Sequence, residues 1–374
     1  MNSSLPEYRE TGKEVLIMKV TALIMAGGKG ERFWPRSRTN CPKQFIDVSG
    51  CGRTMIQLTV DRIRPMVKME DIYIATNENY KALVQEQLPE IPVENILCEP
   101  VGRNTAPCIG LGAAYMLKKG EDSVMMVLAS DHLIKYEDIF REVLQEAIDI
   151  AEQESNIVTI GITPDCPETG YGYIKKNSAV SKGKANAVER FVEKPDRETA
   201  IQYLTSGEYF WNSGMFVWKA STVMSSMEKY MPDIYEKLQK ISDSIGTADE
   251  KQVLCEQFTA MRSESVDYGI MEKAQDIYVI PGQFGWDDVG SWLAVGRIKG
   301  GDESGNTLTG NVVTVNTKNS IIEAQDKLIA TVGLDGIVVV DTEDVTLIGD
   351  KIHMGDIKKV LEQLRGSDSG AKYL

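Results

Sequence analysis

Between Leu23 and Asp47 the chain reads LIMAGGKGERFWPRSRTNCPKQFID, and the chemistry this stretch could do is the holding of phosphate. Leu23, Ile24, Met25 and Ala26 make a short apolar run that stops at Gly27, Gly28 and Gly30, where the backbone can turn tightly and let a ligand come close. From Lys29 to Lys43 the bases are Lys29, Arg32, Arg36, Arg38 and Lys43, against the single acid Glu31, in a chain of formal net charge -14. Glycine N–H groups facing oxygens, backed by side chains that neutralise them, form a phosphate cradle. A solvated basic surface loop is the competing reading.

Two familiar glycine loops fit badly. The GxxxxGK[ST] pattern of nucleoside-triphosphate P-loops is not met. The dinucleotide pattern GxGxxG matches at Gly28 and Gly30, but Phe33 occupies its third glycine position, where close packing of helix on strand needs glycine. That disfavours a nicotinamide oxidoreductase. The stretch does resemble the signature of the sugar-nucleotide pyrophosphorylases, GGxGxRLxPLTxxxPK in outline, and in particular the mannose-1-phosphate guanylyltransferase version, AGGxGxRLWPxSRxxxPKQF. Trp34, Pro35, Ser37, Arg38, Pro42, Lys43, Gln44 and Phe45 fall in place, while Phe33 stands where Leu is usual and Arg36 where Leu is common.

The resemblance implies in-line attack of a sugar 1-phosphate oxygen on the α-phosphorus of a nucleoside triphosphate, with pyrophosphate leaving. Both reactants are polyanions, so catalysis should rest on positioning and electrostatic stabilisation. In its terms Arg32, Lys43 and Asp131 are catalytic, and Ala26, Gly27, Gly28, Lys29 and Gly30 bind the nucleotide. Glu99, Arg103, Asn104 and Thr105, in CEPVGRNTAP, join them and favour GTP; by themselves these residues also read as a helix-capping sequence. Asp131, in ASDH, and Asp288, in GWDDVGSW, become ligands of Mg²⁺, although an Asp after a buried strand is more often a cap or turn residue. Asp287 should point away from Asp288 if the segment is extended. Glu193 and Lys194 in FVEKP, Asn212 in WNSG and Gly172 in TGYGYI are the implied sugar-phosphate ligands, with Tyr171 and Tyr173 expected to serve packing. The implied substrates are GTP and mannose 1-phosphate, and the products GDP-mannose and pyrophosphate. A heptose or fucose phosphate as acceptor, or a nucleotide-sugar-binding regulatory subunit without turnover, are the alternatives.

These residues need strands that end together. Apolar runs at 71–75, 124–129 and 157–162 alternate with helix-period segments at 77–88, 105–119 and 136–154, the pattern of an α/β domain with a Rossmann-like, mixed but mainly parallel sheet. Gly27, Thr76, Asp131 and Thr163 each follow a strand, so they should line one crevice at its carboxyl edge. From Thr169 longer, partly antiparallel strands suggest a second lobe or edge over that crevice. From Gly310 short β-branched strands broken by Gly, Asn and Asp suit a small C-terminal β unit, with a short left-handed β-helix as the form to look for. A terminal helix over 356–365 and a fraying tail follow. The expected division is an N-terminal extension over 1–18, disordered; a catalytic domain over 19–300; and the β unit over 301–374, through which the resemblance suggests a homodimer.

With 374 residues the chain can bury a large core, and 55 acids against 41 bases disfavour nucleic acid or an anionic membrane as partner. Six cysteines without a CxxC pair, and only His132 and His353 as histidines, argue against a zinc site. No signal-peptide pattern and no apolar run near 18 residues lead to a cytoplasmic expectation with reduced thiols.

Overall fold

A computed structural model describes residues 18–120 and 122–374, so the expected extension over 1–18 lies, apart from Met18, outside the described residues. The first strand, β1 (Lys19–Met25), shows why the sheet forms. Its side chains alternate between two cores: Ala22 and Ile24 pack with the helices Met55–Ile63 and Glu137–Ala151, and Leu23 with the helices Thr105–Lys118 and Pro232–Ser244. A strand covered on both faces can be apolar throughout, which is the composition of a parallel α/β sheet.

Beside β1 lie β2 (Ile72–Asn77), β3 (Ile96–Glu99) and β4 (Ser123–Ala129), all parallel. The short β5 (Leu133–Ile134) stands apart, and β6 (Ile157–Ile162), β7 (Tyr173–Lys182), β8 (Ala185–Val192), β9 (Tyr209–Lys219) and β10 (Ile277–Gly282) complete nine strands in the order β3-β2-β1-β4-β9-β6-β10-β8-β7. Only β8 and β9 run against the rest, so the sheet is mixed and mainly parallel. The second lobe expected from Thr169 onward needs correcting. β7 and β8 do form the sheet edge, but β9 is inserted at the sheet centre between β4 and β6. Met215, Phe216, Val217 and Trp218 are all buried there, a both-faced apolar run that a covering strand could not carry.

β11 (Trp286–Asp287) pairs antiparallel with β5 beyond the end of β4. The chain then enters the C-terminal unit: β12 (Thr307–Thr309), β13 (Val312–Val315), β14 (Ile321–Glu323), β15 (Ile329–Val332), β16 (Ile337–Asp341) and β17 (Thr346–Asp350). β12, β14 and β16 stack in parallel, as do β13 and β15, giving a β-helix-like coil closed by antiparallel β17. The helix Ile357–Arg365 folds back, and Ile357 and Leu361 share one core with Phe33, Trp34, Trp292 and Val338. The tail does not fray: the Tyr373 carbonyl accepts from Trp34 Nε1 and Arg38 Nη1, each at 2.7 Å. Two donors from the glycine-loop segment hold it. Among the described residues no helix is long and apolar enough to cross a membrane.

Candidate active site

The loop after β1 is fastened by its carbonyls. Gln44 Nε2 donates to Ala26 O (2.8 Å) and Gly28 O (2.9 Å), and Thr76 Oγ1 also donates to Ala26 O (2.9 Å). The amides of Gly27, Gly28, Lys29 and Gly30 meet no acceptor among the described residues, which leaves them for a ligand. Gly30 has φ 61°, and a Cβ there would lie 2.5 Å from Lys43 N, so glycine is required where the two halves of the motif cross. Lys29 and Arg32 are exposed and have no carboxylate within 4.0 Å among the described residues. Arg36 and Arg38 turn away, to Glu323 at 3.0 Å and Asp344 at 2.6 Å, and tie the loop segment to the C-terminal unit.

Lys43 and the two aspartates meet in a cleft that Lys29, Gly30 and Arg32 also line. The Lys43 side chain is buried, its Nζ lying 2.7 Å from Asp131 Oδ2 and donating to the carbonyls of Asp288 (3.0 Å) and Val289 (2.9 Å). Two of the ammonium protons are thus placed on carbonyls, and the charge is paired with Asp131. Asp131 follows β4 and Asp288 follows β11, so the β5–β11 pairing brings together residues far apart in sequence. Asp288 Oδ1 accepts from the Tyr171 hydroxyl at 2.7 Å and from Gly290 N at 3.1 Å. Tyr171 therefore does more than the packing role expected of it. Asp287 points elsewhere, as the extended segment implied, into a two-pronged pair with Arg297 at 2.8 and 3.1 Å. Val289 is buried with φ 49°, a left-handed conformation that costs a β-branched residue roughly 1–3 kcal/mol and holds its carbonyl on Lys43.

The electrostatics follow from this packing. Burial pushes the Asp131 carboxyl up, but the Lys43 ammonium beside it more than reverses that and holds it below the usual carboxylate range. Burial lowers His132, whose Nδ1 accepts from Trp286 Nε1 at 3.2 Å, so the ring faces its neighbours as a neutral imidazole. A cleft of about 560 Å³ opens over Lys29, Gly30, Arg32, Lys43, Asp131 and Asp288. Among the described residues no three His, Cys, Asp or Glu side chains form a ready-made metal cage. Asp131 Oδ1 and Asp288 Oδ2 have no hydrogen-bond partner among the described residues. Two free hard oxygens beside a phosphate cradle fit a hard divalent cation that takes its remaining ligands from phosphates and water.

The sugar-side candidates also converge. A Cβ on Gly172 would lie 2.6 Å from Glu193 Oε2, and Gly172 O accepts from Asn212 N at 2.8 Å. Lys194, exposed, reaches back to Glu193 at 3.0 Å. Asn212 Nδ2 donates to Asp267 Oδ1 at 2.7 Å, while Asn212 Oδ1 accepts from Gly214 N at 3.0 Å. Sequence reading missed Asp267. It opens a π-helical turn, Asp267–Met271, of a kind frequent at functional sites, but ESVDYGIMEK carries no spacing that sets it apart from an ordinary helix. Tyr171, bonded to Asp288, precedes Gly172 and so links the two halves of the site.

The four base-side candidates divide. Glu99, at the end of β3, is buried with Oε2 3.3 Å from where a Gly27 Cβ would sit; burial raises its carboxyl to about 7 against an opposing bond from Cys108. Asn104 accepts from Thr105 N at 2.8 Å and caps the helix. The Thr105 hydroxyl accepts from Val266 N at 2.9 Å, and Arg103 donates to the Thr259 carbonyl. The contacts of Arg103 and Thr105 are with the 259–266 segment, not with the glycine loop.

Residues 21–303 match the family model for nucleotidyl transferases, and residues 310–364 match the MannoseP isomerase/GMP-like β-helix domain. A mannose-1-phosphate guanylyltransferase of Escherichia coli (strain K12) is 42% identical over 356 residues, which cover 93% of this chain and 74% of that protein. One of Klebsiella pneumoniae is 41% identical over 348 residues, covering 92% and 73%. Among solved structures, a Thermus thermophilus protein described as a mannose-1-phosphate geranyltransferase superposes with a TM-score of 0.85 at 34% identity, over 93% of this chain and 100% of that one.

Proposed function

Because the chain belongs to the nucleotidyl transferase family, we propose that it is a mannose-1-phosphate guanylyltransferase, converting GTP and mannose 1-phosphate to GDP-mannose and pyrophosphate. The observation that carries this is the buried Lys43 ammonium fixed between Asp131 and the Asp288–Val289 backbone, in the cleft that Lys29, Gly30 and Arg32 also line. A preorganised cation at that place can meet negative charge that grows on the α-phosphate as the sugar phosphate oxygen attacks and pyrophosphate leaves. Lys29, Arg32 and the Gly27–Gly30 amides hold the triphosphate. Glu193 and Asn212 orient the sugar hydroxyls, Gly172 leaves room for the ring, and Lys194 swings from Glu193 to the sugar phosphate. Glu99, beside Gly27, and the Arg103–Thr105 segment would receive the base. Asp131 and Asp288 would hold Mg²⁺, which when bound supplies charge neutralisation to the phosphates. Tyr171 keeps Asp288 in orientation, and His132 stays neutral behind Asp131.

The same reading divides the chain into a catalytic domain over 19–300 and a β unit over 301–374, which the two family matches, ending at 303 and starting at 310, support. Homodimer formation through that unit is supported by the outward face of β13 and β15, where exposed Val313 and Val315 lie beside Ala330 and exposed Val332. The deciding experiment crosses GTP, ATP, dTTP and UTP with mannose 1-phosphate and other sugar 1-phosphates and reads pyrophosphate release. Release with GTP and mannose 1-phosphate alone is expected. Release with a heptose or fucose phosphate in place of mannose 1-phosphate would reassign the acceptor, and none with any pair would favour a regulatory subunit.

A further inference from the structure

Lys358 belongs to the C-terminal helix Ile357–Arg365, yet it lines the same cleft as Lys29, Arg32 and Lys43. The helix is held against the glycine-loop segment by three contacts. Ile357 and Leu361 are buried in the core that contains Phe33 and Trp34, and Arg365 pairs with Glu31 at 2.7 Å. Its next lysine, Lys359, is occupied by Asp356 at 2.9 Å. Lys358, by contrast, has no carboxylate within 4.0 Å among the described residues, and neither do Lys29 and Arg32. Three unpaired cations from two parts of the chain therefore converge on one opening, in a protein whose formal net charge is -14.

The acids in the same wall do not neutralise them. Glu31 is taken by Arg365 and Asp131 by Lys43, while Asp288 accepts only from the uncharged Tyr171 hydroxyl and a backbone amide, so one acid stands against three unpaired cations. A polyanion is the ligand chemistry that such a surplus fits. The walls of this cleft include neither Glu193 nor Asn212, so the anion on this side is the triphosphate and not the sugar phosphate. Resting on the guanylyltransferase reading, we infer that Lys358 completes the pyrophosphoryl subsite, holding the β- and γ-phosphates of the bound nucleotide and the pyrophosphate that leaves. The C-terminal unit thus supplies a positioning cation to the active site in addition to any part in assembly.

The test measures inorganic pyrophosphate binding by calorimetry at fixed Mg²⁺ and ionic strength, beside steady-state kinetics, for wild type and for Lys358→Ala, Lys358→Gln, Lys358→Arg and Lys359→Ala. Loss of one charge-assisted contact should weaken pyrophosphate binding and raise KM for GTP about tenfold to a hundredfold in the Ala and Gln variants. KM for mannose 1-phosphate should stay as in wild type, Lys358→Arg should restore most of the binding, and Lys359→Ala should change neither quantity. Melting temperatures without ligand confirm folding, and if the Ala variant does not fold the Gln variant decides. Wild-type-like pyrophosphate affinity in a folded Lys358→Gln, an equal loss in Lys359→Ala, or no pyrophosphate binding by wild type would each overturn the assignment. If wild type turned over no nucleotide and sugar pair while pyrophosphate binding still depended on Lys358, the guanylyltransferase reading would fail and the anion subsite would stand.

Discussion

At the scale of single residues, Lys43 touches both Asp131 and the Asp288 backbone, and their proposed joint role makes a sharp prediction about additivity. Asp131→Asn and Asp288→Asn each keep shape but lose the charge a hard dication favours, so each should reduce metal dependence and activity. Because both would act through one ion, the double variant should be little worse than the worse single one in kcat/KM. Asp287→Asn should do much less, since its carboxylate faces Arg297. Multiplicative losses, or Asp287 as the more sensitive position, would sink the assignment. Lys43→Ala and Arg32→Ala should lower turnover about 10²- to 10³-fold, the scale of one preorganised donor, and near-wild-type turnover in both would remove the basic loop from the mechanism. Glu99 makes a different kind of test, in stability. Its carboxyl rises from 4.5 to about 7 on burial, so the folded state keeps a proton that the unfolded chain releases. Below pH 4.5 both states are protonated and the contribution is complete; as pH climbs to about 7 it is lost, an effect of about 3 kcal/mol. Urea melts of wild type and Glu99→Gln should therefore diverge across that window and run parallel above it. Parallel behaviour throughout would show that Glu99 ionises freely in the fold.

Among elements, β1, β2, β4 and β6 were legible because each is an apolar run closed by small or polar residues at the sheet's carboxyl edge, and Gly27 and Asp131 lie there as expected, whereas the four-residue β3 was not. β9 was not legible in its place, since insertion between β4 and β6 is decided by tertiary partners, and apolarity on both faces only shows that a strand is buried. The role of Tyr171 was hidden for a related reason. Its hydroxyl meets Asp288 across 117 positions of sequence, which no local pattern encodes. Asp287 could be separated from Asp288 because alternation along an extended segment is local geometry. The β13–β15 face is similarly readable from alternation, and it carries the assembly prediction. Changing Val315 and Val332, directly paired and exposed, to lysine should leave the chain folded, with a single cooperative melt, while converting a dimer to a monomer in light scattering. A wild-type monomer, or a double variant that remains dimeric, would remove this face from assembly.

For the whole molecule, the consequence of the C-terminal unit's placement is that the catalytic loop and the β-helix-like coil share a core. Phe33 lies against the Trp292 ring at 5.2 Å, Trp292 Nε1 donates to Trp34 O at 3.0 Å, and Val338, Ile357 and Leu361 pack into the same cluster. Arg36 and Arg38, which the sequence places in a phosphate loop, bridge to Glu323 and Asp344 instead. Removing residues 310–374 would therefore uncover the back of the glycine loop, so loss of activity should accompany any loss of solubility. Shared burial also ties the two parts energetically: neither can open without exposing the other's apolar surface. A single calorimetric transition is expected, and Trp292→Ala, which empties a large volume at the junction, should lower the stability behind that one transition by about 3–5 kcal/mol. Two resolved transitions in wild type, or one that Trp292→Ala leaves in place while the other moves, would mean that the units fold independently and that the loop is not braced from behind.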